Sequence, residues 1–180
     1  MGKALGITFG LLAAIFAFIL FRTGYFKPVQ ISSGFQGPFV LVYKKHIGPY
    51  HKIAPIIDNV EKLVKSKGKE CPLAFGRFLH DPKTVPQDRL ESHGGCAFPL
   101  NDPEVEQLAQ DNDLLMDQVE KQEYLVASFD GSPSIGPFKV YPEVESWMGK
   151  YGYQIDGPVI EIYQTTGPDS LTTRYLFKYK

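Results

Sequence analysis

The feature that most constrains the fold is an imperfect internal repeat. Ile47-Gly48-Pro49-Tyr50 and Ile135-Gly136-Pro137-Phe138 share an apolar-Gly-Pro-aromatic step. A strand pattern precedes each step, and apolar residues at helical spacing and then a proline-led apolar run follow it. These segments lie at 39–45, 53–65 and 73–79 in the first copy and at 123–129, 140–151 and 159–163 in the second. Two copies predict a duplicated domain rather than a solenoid, with a cleft between them.

The helical segments each carry one apolar stripe, which predicts that they pack on one face of a sheet. Asn101-Asp102-Pro103-Glu104 provides a cap and a first-turn proline and predicts a connecting helix over 102–113. We therefore predict an α+β fold, with antiparallel sheets related by a pseudo-twofold axis and a central groove. We expect the groove on the sheet face opposite the helices. The predicted domain spans 39–180, with repeats at 39–98 and 122–180.

The N-terminus carries an uncharged run between Lys3 and Arg22, just long enough to cross a hydrocarbon core of about 30 Å as a helix. We predict a single-pass transmembrane anchor over 1–25 and a juxtamembrane linker over 26–38, where glycine and proline disrupt any period. A cleaved signal peptide is the alternative, although no small-x-small site follows the run closely. The positions of Lys and Arg slightly favour the cytoplasmic side for the domain.

Composition excludes several functional classes. The formal net charge is −1 and no basic cluster occurs, so we expect no nucleic-acid partner. The four histidines are dispersed, and no P-loop or nucleophile-elbow pattern is present. We therefore expect neither a metal nor a cofactor.

The two cysteines are set close together by the predicted hairpin between residues 73 and 97. A disulfide between Cys71 and Cys96 would be compatible with that hairpin and would favour an oxidising compartment. Two small buried thiols are the favoured interpretation.

The doubled Gly-Pro-aromatic step, together with Glu161-Ile162-Tyr163 in the second closing strand, resembles the GyrI-like small-molecule-binding domain, a duplicated strand-helix-strand-strand (SHS2) fold. Asp81-Pro82 and Cys96-Ala97, with the apolar N-terminus, are similar to the membrane-anchored, testis-expressed ER-phagy receptor branch. The resemblance implies a groove with aromatic walls and one carboxylate that receives amphipathic or cationic organic molecules. Some relatives resemble hydrolases that open cyclopropane rings with a glutamate and a tyrosine. The receptor branch carries its autophagy-binding motif in a long disordered tail, whereas this chain stops at Lys180, so we do not expect that receptor activity here.

Alternation in the second closing strand places Glu161 and Tyr163 on one face and Ile160 and Ile162 on the other. If the isoleucines pack under helices, Glu161 points into the groove as a polar handle. Tyr163 then either orients a ligand or donates a proton. The alternatives are a solvated or lysine-paired Glu161 and a half-buried strand tyrosine.

Three aromatic residues complete the predicted ligand site. Aligning Cys71-Pro72 with Gly157-Pro158 places Phe75 at the position corresponding to Glu161, as an apolar wall. Tyr43 and Trp147 are further candidates, and each of the two could simply be core.

We therefore predict a membrane-anchored module that binds an amphipathic or cationic organic ligand without obligatory catalysis. One alternative is a hydrolase in which Glu161 acts as a base or electrostatic stabiliser and Tyr163 assists. Another is a membrane-tethered adaptor that recruits a protein partner.

Overall fold

The computed structural model describes residues 2–99, 102–167 and 170–180. The helices are α1 (Gly2–Arg22), α2 (Ala54–Ser66), α3 (Pro103–Asp111) and α4 (Gly136–Tyr151). The strands are β1 (Gln30–Gln36), β2 (Phe39–Ile47), β3 (Leu73–Phe78), β4 (Glu91–Phe98), β5 (Leu115–Val119), β6 (Gln122–Asp130), β7 (Val159–Gly167) and β8 (Ser170–Phe177). Two short 3₁₀ turns occur at Tyr50–Lys52 and Gln87–Arg89.

All eight strands form one antiparallel sheet in the order β1-β6-β8-β7-β3-β4-β2-β5. The first repeat is β2-α2-β3-β4 and the second is β6-α4-β7-β8, and their strands follow mirrored orders on either side of the β3–β7 junction. The predicted strand-helix-strand-strand duplication is therefore present, in one sheet rather than several. Because β5 at one edge leads directly into β6 near the other, the sheet is strongly curled.

The inner face of the curled sheet is filled by apolar side chains from both repeats. Ile160 and Ile162 of β7 pack there, together with Leu41, Phe75, Val126 and Leu176. The helices cover the outer face: α2 packs on Val42 and Cys96, and α4 packs on Leu125, Ala127 and Phe129. The condition that these isoleucines pack under helices is not met, because they belong to the inner core.

The N-terminal region differs from the sequence prediction. Within the described residues, no helix combines the length and apolarity needed to cross a membrane. The structure thus does not support the transmembrane anchor predicted over 1–25. The predicted linker over 26–38 contains strand β1, which pairs with β6. The sequence did not predict β1, because Ser32-Ser33-Gly34 at its centre interrupts any apolar alternation. This composition is compatible with an edge strand that leaves several side chains exposed.

Two local features connect the repeats to the rest of the chain. The connecting helix α3 begins after Asp102, whose side chain accepts a hydrogen bond from the Glu104 backbone N–H at 3.2 Å. Cys71 and Cys96 form a disulfide. The favoured prediction of two free thiols is therefore wrong, since the segment before β3 lies against β4 and brings the two sulfur atoms together.

Candidate functional site

A cavity of about 1420 Å³ lies between α2 and α4, over the outer face of the two central strands β3 and β7. The two Gly-Pro-aromatic steps line it from opposite repeats, through Pro49-Tyr50 and Pro137-Phe138. We expected the groove on the face opposite the helices, but it lies on the helix side. The two helices leave the middle of the sheet uncovered, because each packs over the strands of its own repeat.

Glu161 is the central polar group of the cavity floor. It extends from β7 towards the helix side, and its side chain is almost completely buried, with the residue only 4% exposed. Burial raises the pKa of its carboxyl group to about 8, because the charged form loses hydration. The Tyr163 hydroxyl donates a hydrogen bond to Glu161 Oε2 at 3.0 Å, which lowers that pKa in part. No cation accompanies this carboxyl among the contacts of the described residues.

Three tyrosines surround Glu161. Tyr163 follows it on β7, Tyr175 is its register partner on β8, and Tyr141 lies on α4 with its ring edge-on to Tyr175 at 6.2 Å. Burial raises the pKa of all three phenols, and the nearby Glu161 carboxylate raises it further. These phenols therefore remain neutral hydrogen-bonding groups. Within the described chain, the buried Tyr175 hydroxyl has no hydrogen-bond partner.

The first repeat contributes an apolar wall. Tyr50 packs edge-on against Phe78 with ring centroids 4.8 Å apart, and Ile53 and Ile57 complete this cluster. The Tyr50 hydroxyl donates to the His80 carbonyl oxygen at 2.8 Å and accepts from the His80 backbone N–H at 2.9 Å. These two bonds fix the Tyr50 ring at the cavity wall.

Small residues on β3 provide the space for Glu161 and Tyr163. Gly76 is the register partner of Glu161, and Ala74 is that of Tyr163. A Cβ atom at Gly76 would lie 3.2 Å from the Tyr163 hydroxyl and 3.1 Å from the Phe78 ring. The missing side chain thus leaves room for the Tyr163 hydroxyl.

The structure brings together two of the five residues predicted for the site. Glu161 and Tyr163 both line the cavity. Tyr43 and Phe75 lie in the inner core, where the Tyr43 ring stacks on His93 at 4.3 Å. Trp147 packs outside the cavity against Tyr153 and Tyr151, with ring centroids 6.0 and 4.6 Å away.

The misplacement of Phe75 has a simple cause. The assumed alignment of the closing strands was shifted by one residue, and such a shift reverses the face of every side chain. In the structure Phe75 pairs with Ile162, so both face inwards, whereas Gly76 pairs with Glu161.

Tyr141 and Tyr50 are cavity residues that the predicted site did not include. Tyr141 lies four residues after Pro137 and four before Glu145, and this spacing places all three on one face of α4. The spacing could have predicted Tyr141 as a cavity residue once Pro137 was placed there. Tyr50 belongs to the repeated step itself. No group of three or more potential metal ligands occurs among the described residues.

Comparison with known proteins agrees with this geometry. Residues 36–180 match the family model described as the GyrI-like small molecule binding domain. The chain belongs to the GyrI-like family. No curated protein matches it. The ER-phagy receptor likeness therefore has no support beyond the sequence motifs.

Solved structures resemble this GyrI-like domain at low sequence identity, which supports the fold alone. EcmrR, whose structure was determined as a complex with DNA, has a TM-score of 0.62 at 12% identity, and the match covers 99% of this chain and 68% of EcmrR. A hydrolase from Listeria innocua has a TM-score of 0.54 at 16% identity, with 87% and 95% covered. SAV2435 bound to tetraphenylphosphonium has a TM-score of 0.53 at 11% identity, with 84% and 94% covered.

Proposed function

We propose that the cavity binds an apolar organic cation and that Glu161 provides the countercharge. The observation that carries this proposal is a buried carboxyl group on the floor of a large cavity with aromatic walls, accompanied by neutral phenols and by no cation from the part of the chain that the structure describes. Burying a carboxylate without a partner is costly, and a ligand cation would remove that cost.

The cavity also suits such a ligand in its lining. Its volume of about 1420 Å³ exceeds the roughly 300–1,000 Å³ that pockets for small molecules usually measure, so there is room for a bulky organic cation, and like those pockets it combines apolar walls with a few polar groups. Tyr50, Tyr141 and Tyr163 offer ring surfaces to a delocalised cation. The likeness to SAV2435, whose structure contains tetraphenylphosphonium, is in keeping with this ligand class.

The test is calorimetric titration of the full chain with tetraphenylphosphonium and with triphenylphosphine oxide, a neutral molecule of related shape. We expect Glu161→Gln to weaken binding of the cation by about 1.5–3 kcal/mol, the usual value of a contact with a charged group, and to leave the neutral compound unaffected. Glu143→Gln is the matched control, because Glu143 is exposed on α4 and does not line the cavity. Equal cation affinities for the parent and Glu161→Gln would refute the proposal.

A hydrolase is the second candidate, favoured by one specific contact. The Tyr163 hydroxyl donates a hydrogen bond to the Glu161 carboxyl, whose pKa is about 8, so this carboxyl can take up and release a proton near neutral pH. Mass analysis of ligands recovered from the titrations distinguishes the two candidates. Intact ligand supports a binding module, and a product that forms with the parent but not with Glu161→Gln supports the enzyme. If the parent protein neither binds nor converts any of these ligands, the protein-adaptor alternative is favoured.

A further inference from the structure

The cavity contains a second carboxylate that its own residues leave uncompensated. Glu61 lies on α2 and lines the cavity, and its side chain is only partly exposed. Burial raises the pKa of its carboxyl group, and the neighbouring Asp58 raises it further. Among the described residues, no basic side chain forms a hydrogen bond or ion pair with Glu61.

The other acidic residues of the lining already have partners or are exposed to water. Asp58 pairs with Lys62 at 2.6 Å, and Glu145 pairs with Lys83 at 2.6 Å. Asp81 is exposed and accepts a hydrogen bond from the Lys83 backbone N–H. Among the described residues, Glu161 and Glu61 therefore differ from the rest, since Glu161 is buried, Glu61 is partly buried, and neither carboxyl forms an ion pair.

The two uncompensated carboxylates belong to different parts of the cavity. Glu161 lies on the floor, beside the Tyr163 ring that packs against Ile57 of α2. Glu61 follows Ile57 by four residues, so it is displaced by one helical turn, about 6 Å, along the wall. One compact cation at Glu161 would leave Glu61 unpaired. The volume of about 1420 Å³ also exceeds what a single drug-sized molecule fills.

We propose that the preferred ligand is an elongated organic dication, with one cationic group at Glu161 on the floor and the second at Glu61 on the α2 wall. An apolar body between the two groups would lie along the wall formed by Ile57 and Phe78. This inference rests on the proposed function, because it assigns Glu161 the same role.

The test uses the full chain and two series of probes: bis(trimethylammonium) alkanes of increasing length, and alkyltrimethylammonium ions of matched length. We expect one range of spacer lengths to bind more tightly than the matched monocation. Glu61→Gln should then weaken the dication roughly five- to tenfold, as expected for a half-exposed charge contact, and leave the monocation unchanged. Glu161→Gln should weaken both. Glu143→Gln, exposed on α4 and outside the cavity, should change either affinity by less than about twofold.

Two results would overturn the inference. If dications of every length bind no more tightly than monocations, or if Glu61→Gln affects both series equally, Glu61 does not receive a second charge. Failure of the underlying proposal would be recognisable separately. In that case the monocations alone would fail to bind, or would bind Glu161→Gln as tightly as the parent.

Discussion

The burial of Glu161 predicts an unusual dependence of stability on pH. The pKa of this carboxyl is about 8 in the folded chain and 4.5 when unperturbed. Between these values the folded state retains a proton that the unfolded state has released. The free energy of unfolding therefore falls as pH rises through this window, by about 1.4 kcal/mol per pH unit. Between pH 5 and pH 9 the titration of Glu161 lowers the free energy of unfolding by about 4 kcal/mol in total, and the decrease levels off above the pKa of the folded state.

Glu161→Gln should abolish that loss. Glutamine has nearly the same shape, carries no charge, and its carbonyl oxygen can still accept from the Tyr163 hydroxyl. Urea denaturation of parent and variant at each pH from 5 to 9 gives the comparison. The variant should exceed the parent by about 1 kcal/mol or less at pH 5 and by several kcal/mol at pH 9.

Other titrating groups contribute equally to both proteins, so the difference between the two curves isolates Glu161. The exposed Glu143→Gln control should run parallel to the parent. Parallel curves for Glu161→Gln and the parent across this range would refute the burial argument. Tyr163→Phe adds an independent check, because losing the hydroxyl donor should raise the pKa of Glu161 by about one unit. Carbon NMR titration of the Glu161 carboxyl measures that shift directly.

Two further predictions concern packing and the disulfide. Gly136→Ala should destabilise the fold by about 1–3 kcal/mol, since the added Cβ would overlap the Tyr175 hydroxyl. Gly149→Ala on the same helix meets open space and should stabilise the fold by up to about 1 kcal/mol. Equal shifts of the thermal unfolding temperature for the two variants would contradict this prediction. Replacing Cys71 and Cys96 with alanine should lower the free energy of unfolding by about 3 kcal/mol, because the disulfide closes a loop of 25-residue separation and so reduces the entropy of the unfolded chain. Urea unfolding without reductant measures this difference. An unchanged free energy of unfolding would exclude a stabilising disulfide.

The duplication and the separation of Glu161 from Ile160 and Ile162 onto opposite faces of β7 could be predicted from the sequence because both depend on short-range patterns. Gly-Pro-aromatic steps mark the starts of the helical segments, and strand alternation separates Glu161 from Ile160 whatever the register. The face on which the cavity lies could not be predicted in this way. Both faces of β7 are buried, so alternation alone did not reveal that the isoleucines form the inner core and Glu161 faces the helices.

Predicting which residues of the first repeat lie beside Glu161 requires the strand register between the two repeats, which one sequence does not contain. Phe75 was assigned to the site through an assumed alignment, and an error of one residue was enough to send it into the inner core. Tyr43 and Trp147 were chosen as aromatic residues on amphipathic elements, where core packing and ligand contact give the same pattern. Only the tertiary arrangement separates these two roles.

The asymmetry of the two repeats explains why a symmetric fold has one polar site. Across the β3–β7 junction, Glu161 and Tyr163 of the second repeat face Gly76 and Ala74 of the first. A larger side chain at Gly76 would press on the Tyr163 hydroxyl, so the functional groups of one repeat require small residues in the other. A carboxylate at the equivalent position of both repeats would place two buried like charges side by side, which is strongly unfavourable. A second carboxyl group there would be held protonated, so the central floor favours a single negative charge, and a second charge is more easily accommodated on a helix wall.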